Sequence, residues 1–459
     1  MGVHVSEESW FSRIGGAFKG ILVGGILCVI GVPVLFWNEG RAVRTAKGLK
    51  EGAKVVQNIE PDTIDSAMEG KFVHVSGMTQ TDDMLRDDQF GIEYNGIRLV
   101  RHVETYQWKE REERERKKKL GGGTKTITTY TYSKVWEPGL IDSSKFDEAS
   151  THQNPTSVPF SARSEQAKQV HLGAFRLPES LISQINKPEP VQFTIDQLPT
   201  ETRSMVSLGQ RDGATMAYWS KKRSSDASVT PTSEPGNNTA AESSDQPEPI
   251  QKIDLEQVGT EQPVESETEV LSEETPAPQT LAATDISSDP QIGDTRVWFT
   301  ATPASEISLL SSQRGESFQP YVTQTGTELH RLEMGSVNAE EMIQHAEHEN
   351  MILTWILRGV GTVVLFVGFS LLMRPLVVLA DVVPMFGSLV GFGTGLIAGL
   401  AAFAVSLTTI GIAWVFYRPL LGATLLAIAA ACIFLIIRRG RNASRDREPV
   451  ERMTEMDLV

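Results

Sequence analysis

The sequence predicts a multi-pass α-helical membrane protein, with about four spans, that carries a large β-rich (α+β) extramembrane domain. Three observations predict it. Apolar runs long enough to cross a bilayer fall at 17–37, 352–373, 388–417 and 420–437. A long polar stretch separates the first run from the second, and it holds short segments in which β-branched and aromatic residues alternate with polar ones. The net charge of -15 belongs to one segment of that stretch and is not spread over the chain.

The elements follow in order. Residues 1–16 are expected to form a short cytoplasmic N-terminus. The first run, 17–37, contains one charge, Lys19, at its edge. It is long for a signal peptide and no Ala-x-Ala site follows it, so a retained anchor is expected. Asn38-Glu39-Gly40-Arg41 after it looks like an interfacial stop. Residues 38–223 are the first part of the extramembrane domain. Residues 41–69 can begin as a helix continuing from the first span. Phe72–Gly77, Ile97–Trp108 and Thr126–Trp136 read as strands. Between the last two lie eleven consecutive charged residues, Lys109–Lys119, and then Gly121-Gly122-Gly123. Acids and bases are interleaved there without an aromatic, so the expectation is a solvated hairpin tip and no nucleic-acid contact.

Residues 224–290 hold fifteen acidic residues, one Lys and no aromatic. Such a composition cannot bury enough apolar surface to offset ordering, which predicts a disordered acidic insertion. Residues 291–351 are the second part of the domain, and 339–351 has helical spacing that feeds the second span as one rod. Val73, Leu85, Gln89 and Gly91 match Val297, Leu309, Gln313 and Gly315 at identical offsets, which raises an old duplication.

The second span, 352–373, carries Arg358 about two turns in and ends at Arg374. The stretch 382–417 is uncharged, with the helix proper expected at 388–417. Arg418-Pro419 breaks it before 420–437, and 438–459 is a tail rich in Arg. Those arginines place the tail in the cytoplasm by the positive-inside rule. Four spans then put both termini there and the β-rich domain on the far side; a fifth span would reverse that.

Small residues repeat every four positions at Gly16, Gly20 and Gly24, and again at Gly391, Gly395 and Gly399. Each set makes a flat helix stripe suited to close packing within or between chains. Ser406 lies deep in the third span and is expected to bond to a backbone carbonyl or a neighbouring helix. No catalytic set, cofactor or metal site is expected. Glu341, His345 and His348 share a helix face but are expected to face water, and His102 with Glu104 reads as a salt-bridge ladder before an acid/base pair. Cys28 and Cys432 both lie in apolar runs and define no disulfide framework.

The chain resembles the transmembrane protein 43 (LUMA) family. The resemblance rests on Asn38, Glu39, Gly40 and Arg41 with Ala42; on Arg101, His102 and Glu104 with Trp108; on Asn154-Pro155; on Gly293-Asp294 with Arg296; on Arg374; and on Trp414 with Arg418-Pro419. These pieces span 10 to about 437. The acidic insertion and the tail depart from the animal members. The resemblance implies four spans, cytoplasmic termini, a luminal domain and no established catalytic activity. For animal members it implies the endoplasmic reticulum and inner nuclear membrane, self-association, and partnership with lamins and emerin. For bacterial members it implies an inner-membrane scaffold with a periplasmic domain. The function expected is therefore a non-enzymatic, self-associating membrane-organising scaffold whose partners are the lipid bilayer, further copies of itself and other membrane or envelope proteins. The alternative is a membrane-tethered module that binds or processes a lipid or envelope polymer through Arg101, His102 and Glu104.

Overall fold

The computed structural model describes residues 2–220, 289–420, 422 and 424. The acidic insertion (save its last two residues), most of the fourth predicted span and the tail lie outside the described residues.

Three long helices carry the apolar runs: α1 (Trp10–Val55), α2 (Ala339–Ala380) and α3 (Pro384–Tyr417). All three are long and apolar enough to cross a membrane. The Ser9 side chain caps α1 by accepting from Ser12 N, and Asn338 caps α2 by accepting from Glu341 N. Neither α1 nor α2 stops where the apolar run stops. The Asn38–Arg41 stretch, expected as an interfacial stop, is helical. There α1 gains partners on α2 and α3, so burial continues the helix past the apolar run. Likewise α2 begins at Ala339, as its spacing predicts, and runs past Arg374 to Ala380.

The domain is built around two large sheets, with two separate two-stranded pairs beside them. We label its main strands β1 (Gly2–Glu8), β2 (Phe72–Gln80), β3 (Met84–Asp87), β4 (Ile92–Asn95), β5 (Arg98–Lys118), β6 (Thr124–Pro138), β7 (Val206–Arg211), β8 (Ala214–Trp219), β9 (Thr295–Thr302) and β10 (Glu306–Arg314). One sheet runs in the order β1-β6-β5-β9-β8-β7, and the other centres on β2 paired with β10. Their facing sides share one core, with Val73, Val75, Phe90, Leu99, Phe160, Phe175, Val297, Phe299 and Leu309 buried. β8 and β9 pair with each other, Trp219 opposite Thr295, so the segment between them joins two neighbouring strands of one sheet. The suspected duplication does not show in the pairing. Val297 lies between β5 and β8 in one sheet, whereas Val73 lies in the other sheet opposite Ser311.

The charged run corrects the expectation of a hairpin tip. Lys109–Lys118 is strand, paired with β6 residue by residue from Glu104 opposite Pro138 to Lys118 opposite Thr124. Only 119–123 turn. Pairing satisfies the backbone, and charges of opposite sign two apart on one face bind each other, Arg114 with Glu112 and Lys117 with Glu115. Nor are the first residues a free tail: β1 adds to the outer edge of this hairpin, Gly2 opposite Tyr130 and Glu8 opposite Thr124. The result is a three-stranded arm projecting from the domain.

The second core joins domain to helices. Leu49 of α1, Met342 and Ile343 of α2, and Phe72, Leu310 and Leu329 of the domain are buried together. The domain therefore sits on the end of the bundle where α1 finishes and α2 begins.

Candidate functional site

Asn38, Glu39 and Gly40 are buried one turn beyond the apolar run of α1. Glu39 is the hub. It accepts from Arg358 Nε at 2.6 Å and Nη2 at 2.9 Å, and from Trp414 Nε1 at 2.8 Å. The Arg358 guanidinium also lies over the Trp355 and Trp414 rings, at 4.7 and 5.7 Å from their centroids. One carboxylate thus ties α1 to α2 and α3. Around it, Asn38 Nδ2 donates to Thr354 O, and Arg41 donates to Asn350 Oδ1 and Thr354 Oγ1. Asn350 Nδ2 returns a bond to Ala42 O. Gly40 lets α3 approach: a Cβ there would stand 2.6 Å from the Tyr417 ring. A bidentate, desolvated pair with this much support is a clamp.

The far end of the bundle has a second ionic knot, which sequence reasoning missed. Asp381, at the turn from α2 to α3, is fully buried. It accepts from Arg13 Nη2 at 2.5 Å and from Lys118 Nζ at 2.6 Å. Burial pushes its carboxyl up, and the Lys118 and Arg13 bonds outweigh that and hold it below the usual value. Gly121 N donates to Val382 O, and Trp10 Nε1 donates to Val378 O. The arm therefore reaches the bundle end opposite the domain. The lengths agree. From Thr105 to Lys118 a strand covers roughly 43 Å, and from Trp10 to Gly40 a helix covers roughly 45 Å. Asp381 carried no sequence signal beyond being the single acid in an apolar stretch.

The remaining motif residues lie in the domain ladders. Arg101 points inward and is buried. It donates to Asp87 Oδ1 at 3.0 Å, Gln89 Oε1 at 2.8 Å and Ser161 O at 2.7 Å. His102 points the other way, stacked on Trp298 and bonded to Thr300 Oγ1, and burial lowers its pKa despite Glu104 nearby. Glu104 pairs with Arg296, as a ladder requires. Asn154, next to Pro155, acts as an extra rung, accepting from Trp108 N and donating to Trp108 O. Gly293 and Asp294 continue the ladder from β9 onto Tyr106. None of Arg101, His102 and Glu104 lines the cavities beside the helices. His345 bonds Glu333 at 2.8 Å. Among the described residues no three His, Cys, Asp or Glu side chains converge as metal ligands would.

The glycine stripes divide. A Cβ on Gly24 would meet Gly368 O at 2.6 Å, and one on Gly20 would stand 3.7 Å from Leu371. Gly16 and Gly395 face nothing within 4 Å, while Gly391 and Gly399 meet only Val377 and Phe366 in ordinary contact. The tight α1–α2 contact instead uses Gly24, Gly31, Gly361 and Gly368, seven apart on each helix. Ser406 accepts from Thr362 Oγ1 at 3.0 Å and so links α2 to α3.

A helical bundle of membrane-crossing length, clamped at its wet end by a buried ion pair and crowned by a two-sheet domain, defines an integral membrane protein with a large extramembrane β-rich region. The family model described as transmembrane protein 43 matches residues 105–419, and the chain belongs to that family. It is 28% identical to rat transmembrane protein 43 over 445 residues, 96% of this chain and 95% of the relative. It is 27% identical to the human protein over 446 residues, with the same coverage. It is 24% identical to the Drosophila melanogaster homologue over 417 residues, 89% of this chain and 92% of the relative. No solved structure matches it significantly.

Proposed function

We propose that the chain is a non-enzymatic scaffold that self-associates in the membrane and presents its β-rich domain on the non-cytoplasmic side, with the start of α1 and the C-terminal tail on the cytoplasmic side. The observation that carries self-association is the arm. Every residue from Arg111 to Lys118 is exposed, and the charges alternate onto both faces. Yet the arm runs beside an apolar bundle from one end to the other. Lipid cannot face such a surface. A second copy, or several, enclosing the arms supplies the polar lining. The arm then passes the bilayer depth inside the assembly and its tip joins Asp381 at the cytoplasmic end.

The compartment is the inner membrane in a bacterium, or the endoplasmic reticulum and inner nuclear membrane in a eukaryote. Other membrane or envelope proteins are the expected partners, lamins and emerin among them only in an animal. The detergent-solubilised chain should run in light scattering at a multiple of 50.4 kDa; a monomer at micromolar concentration overturns self-association.

A second reading has its own observation. β1 runs along the outer edge of the arm from Gly2, beside Tyr130, to Glu8 at the tip. If arm, first residues and domain share one compartment, α1 and α2 lie against a single membrane surface. The partly buried ladders of Arg101, His102 and Glu104 give a lipid- or polymer-processing module no comparable support.

A further inference from the structure

Beside the Glu39 clamp, α1, α2 and the end of α3 enclose a groove of about 580 Å³. Its lower wall holds Trp355, Trp414 and Arg358, and its upper wall holds Lys50, Glu347, His348 and Arg418. The Arg358 charge is matched by Glu39. Arg418 and Lys50 are not matched: among the described residues neither has a carboxylate partner. Glu347 is the one acid in the lining. The groove therefore offers two unspent cations and an imidazole against one carboxylate.

Its position supplies the rest. Trp355 is 64% exposed, with its indole where the apolar run of α2 begins. Tryptophan at that level marks the boundary between acyl chains and headgroups. Below it, Ile356, Val360 and Val363 continue the exposed apolar surface of α2. Above it, the groove opens to water beside the domain. A ligand that fits has an anionic head and an apolar tail directed into the membrane.

We propose that this groove seats an anionic phospholipid, with Arg418 and Lys50 on its phosphate and headgroup and its acyl chain along α2 below Trp355. Free phosphate would satisfy the cations but leave the apolar path unused. The site does not depend on self-association, and one copy of the chain suffices to form it.

The test is native mass spectrometry of the full chain in detergent with phosphatidylglycerol or phosphatidylcholine added. Wild type should retain phosphatidylglycerol in preference to phosphatidylcholine. Arg418→Gln and Lys50→Gln should each lower that retention about five-fold, the effect of one cation beside an anionic surface. Arg418→Lys should retain most of it. Arg374→Gln, at the other end of α2, should leave it unchanged. Lys50 is exposed, so its variant reports even if Arg418→Gln perturbs folding. Equal retention of both lipids, an equal loss in Arg374→Gln, no loss in Lys50→Gln, or displacement of the lipid by millimolar inorganic phosphate overturns the proposal.

Discussion

Glu39 on α1 and Arg358 on α2 form a two-pronged ion pair, with Nε and Nη2 at 2.6 and 2.9 Å from the two carboxylate oxygens. The Glu39 side chain is 1% exposed and that of Arg358 14%. A pair this dry contributes little over an apolar substitute, but removing one partner strands a charge. Arg358→Gln should therefore destabilise the chain by about 3–5 kcal/mol. Glu39→Gln with Arg358→Gln should recover much of that loss. Thermal unfolding in detergent reads both; a single variant that melts like wild type contradicts the clamp.

The two glycine stripes should respond oppositely. Gly24→Leu forces side-chain atoms onto Gly368 O and should cost ~1–3 kcal/mol of monomer stability or more. Gly395 faces open space, so Gly395→Leu should leave the melting temperature unchanged. If that face joins copies, it should shift light scattering toward the monomer. Loss of stability in Gly395→Leu with no change of mass would place the stripe inside the protomer.

Asp381 should control the arm. Asp381→Asn removes the acceptor charge shared by Arg13 and Lys118. Amide hydrogens of 2–8 and 111–130 should then exchange faster, while those of β2 and β10 do not. The pH dependence has a definite sign. The folded carboxyl lies below its usual value, so its stabilisation is complete above the unfolded value near 3.8 and fades as pH falls through the folded one. The arm should loosen in acid, and uniform exchange at pH 7 in wild type and variant would contradict the knot.

Histidines set a milder window. Burial lowers the pKa values of His74, His102 and His330. The folded domain then binds fewer protons than the unfolded chain just below pH 6.5. Stability should fall as pH drops from about 7 toward 5. His74 bonds Asn58 and Val337 O, so His74→Gln should flatten part of that slope while lowering stability at neutral pH. An unchanged slope would remove His74 from the account.

Much of this was legible in the sequence because it depends on local pattern. The apolar runs gave three helices, and alternation gave the strands around Val73, Val103 and Tyr130. What failed was long-range. Spacing of four drew attention to Gly391, Gly395 and Gly399, yet the close contact follows spacing of seven, Gly24 with Gly31 and Gly361 with Gly368, the period of two helices packed side by side. Asn38–Arg41 looks like an end because it is polar; its partners, Thr354, Arg358 and Trp414, lie more than three hundred positions away. Charge density suggested a loop at Lys109–Lys119, because nothing local reveals that β6 pairs with all but its last residue.

The most direct measurement is accessibility of single cysteines to a membrane-impermeant thiol reagent in sealed vesicles, in a background lacking Cys28 and Cys432. The sites are Ser144 in the domain, Leu120 at the arm tip, 85% exposed, and Ser444 in the tail. The account predicts that Ser144→Cys reacts only from the non-cytoplasmic side, and Leu120→Cys and Ser444→Cys only from the cytoplasmic side. Reaction of Ser144→Cys and Leu120→Cys from the same side would contradict it: the arm would not cross the bilayer depth, and the need for a protein sheath around it would disappear.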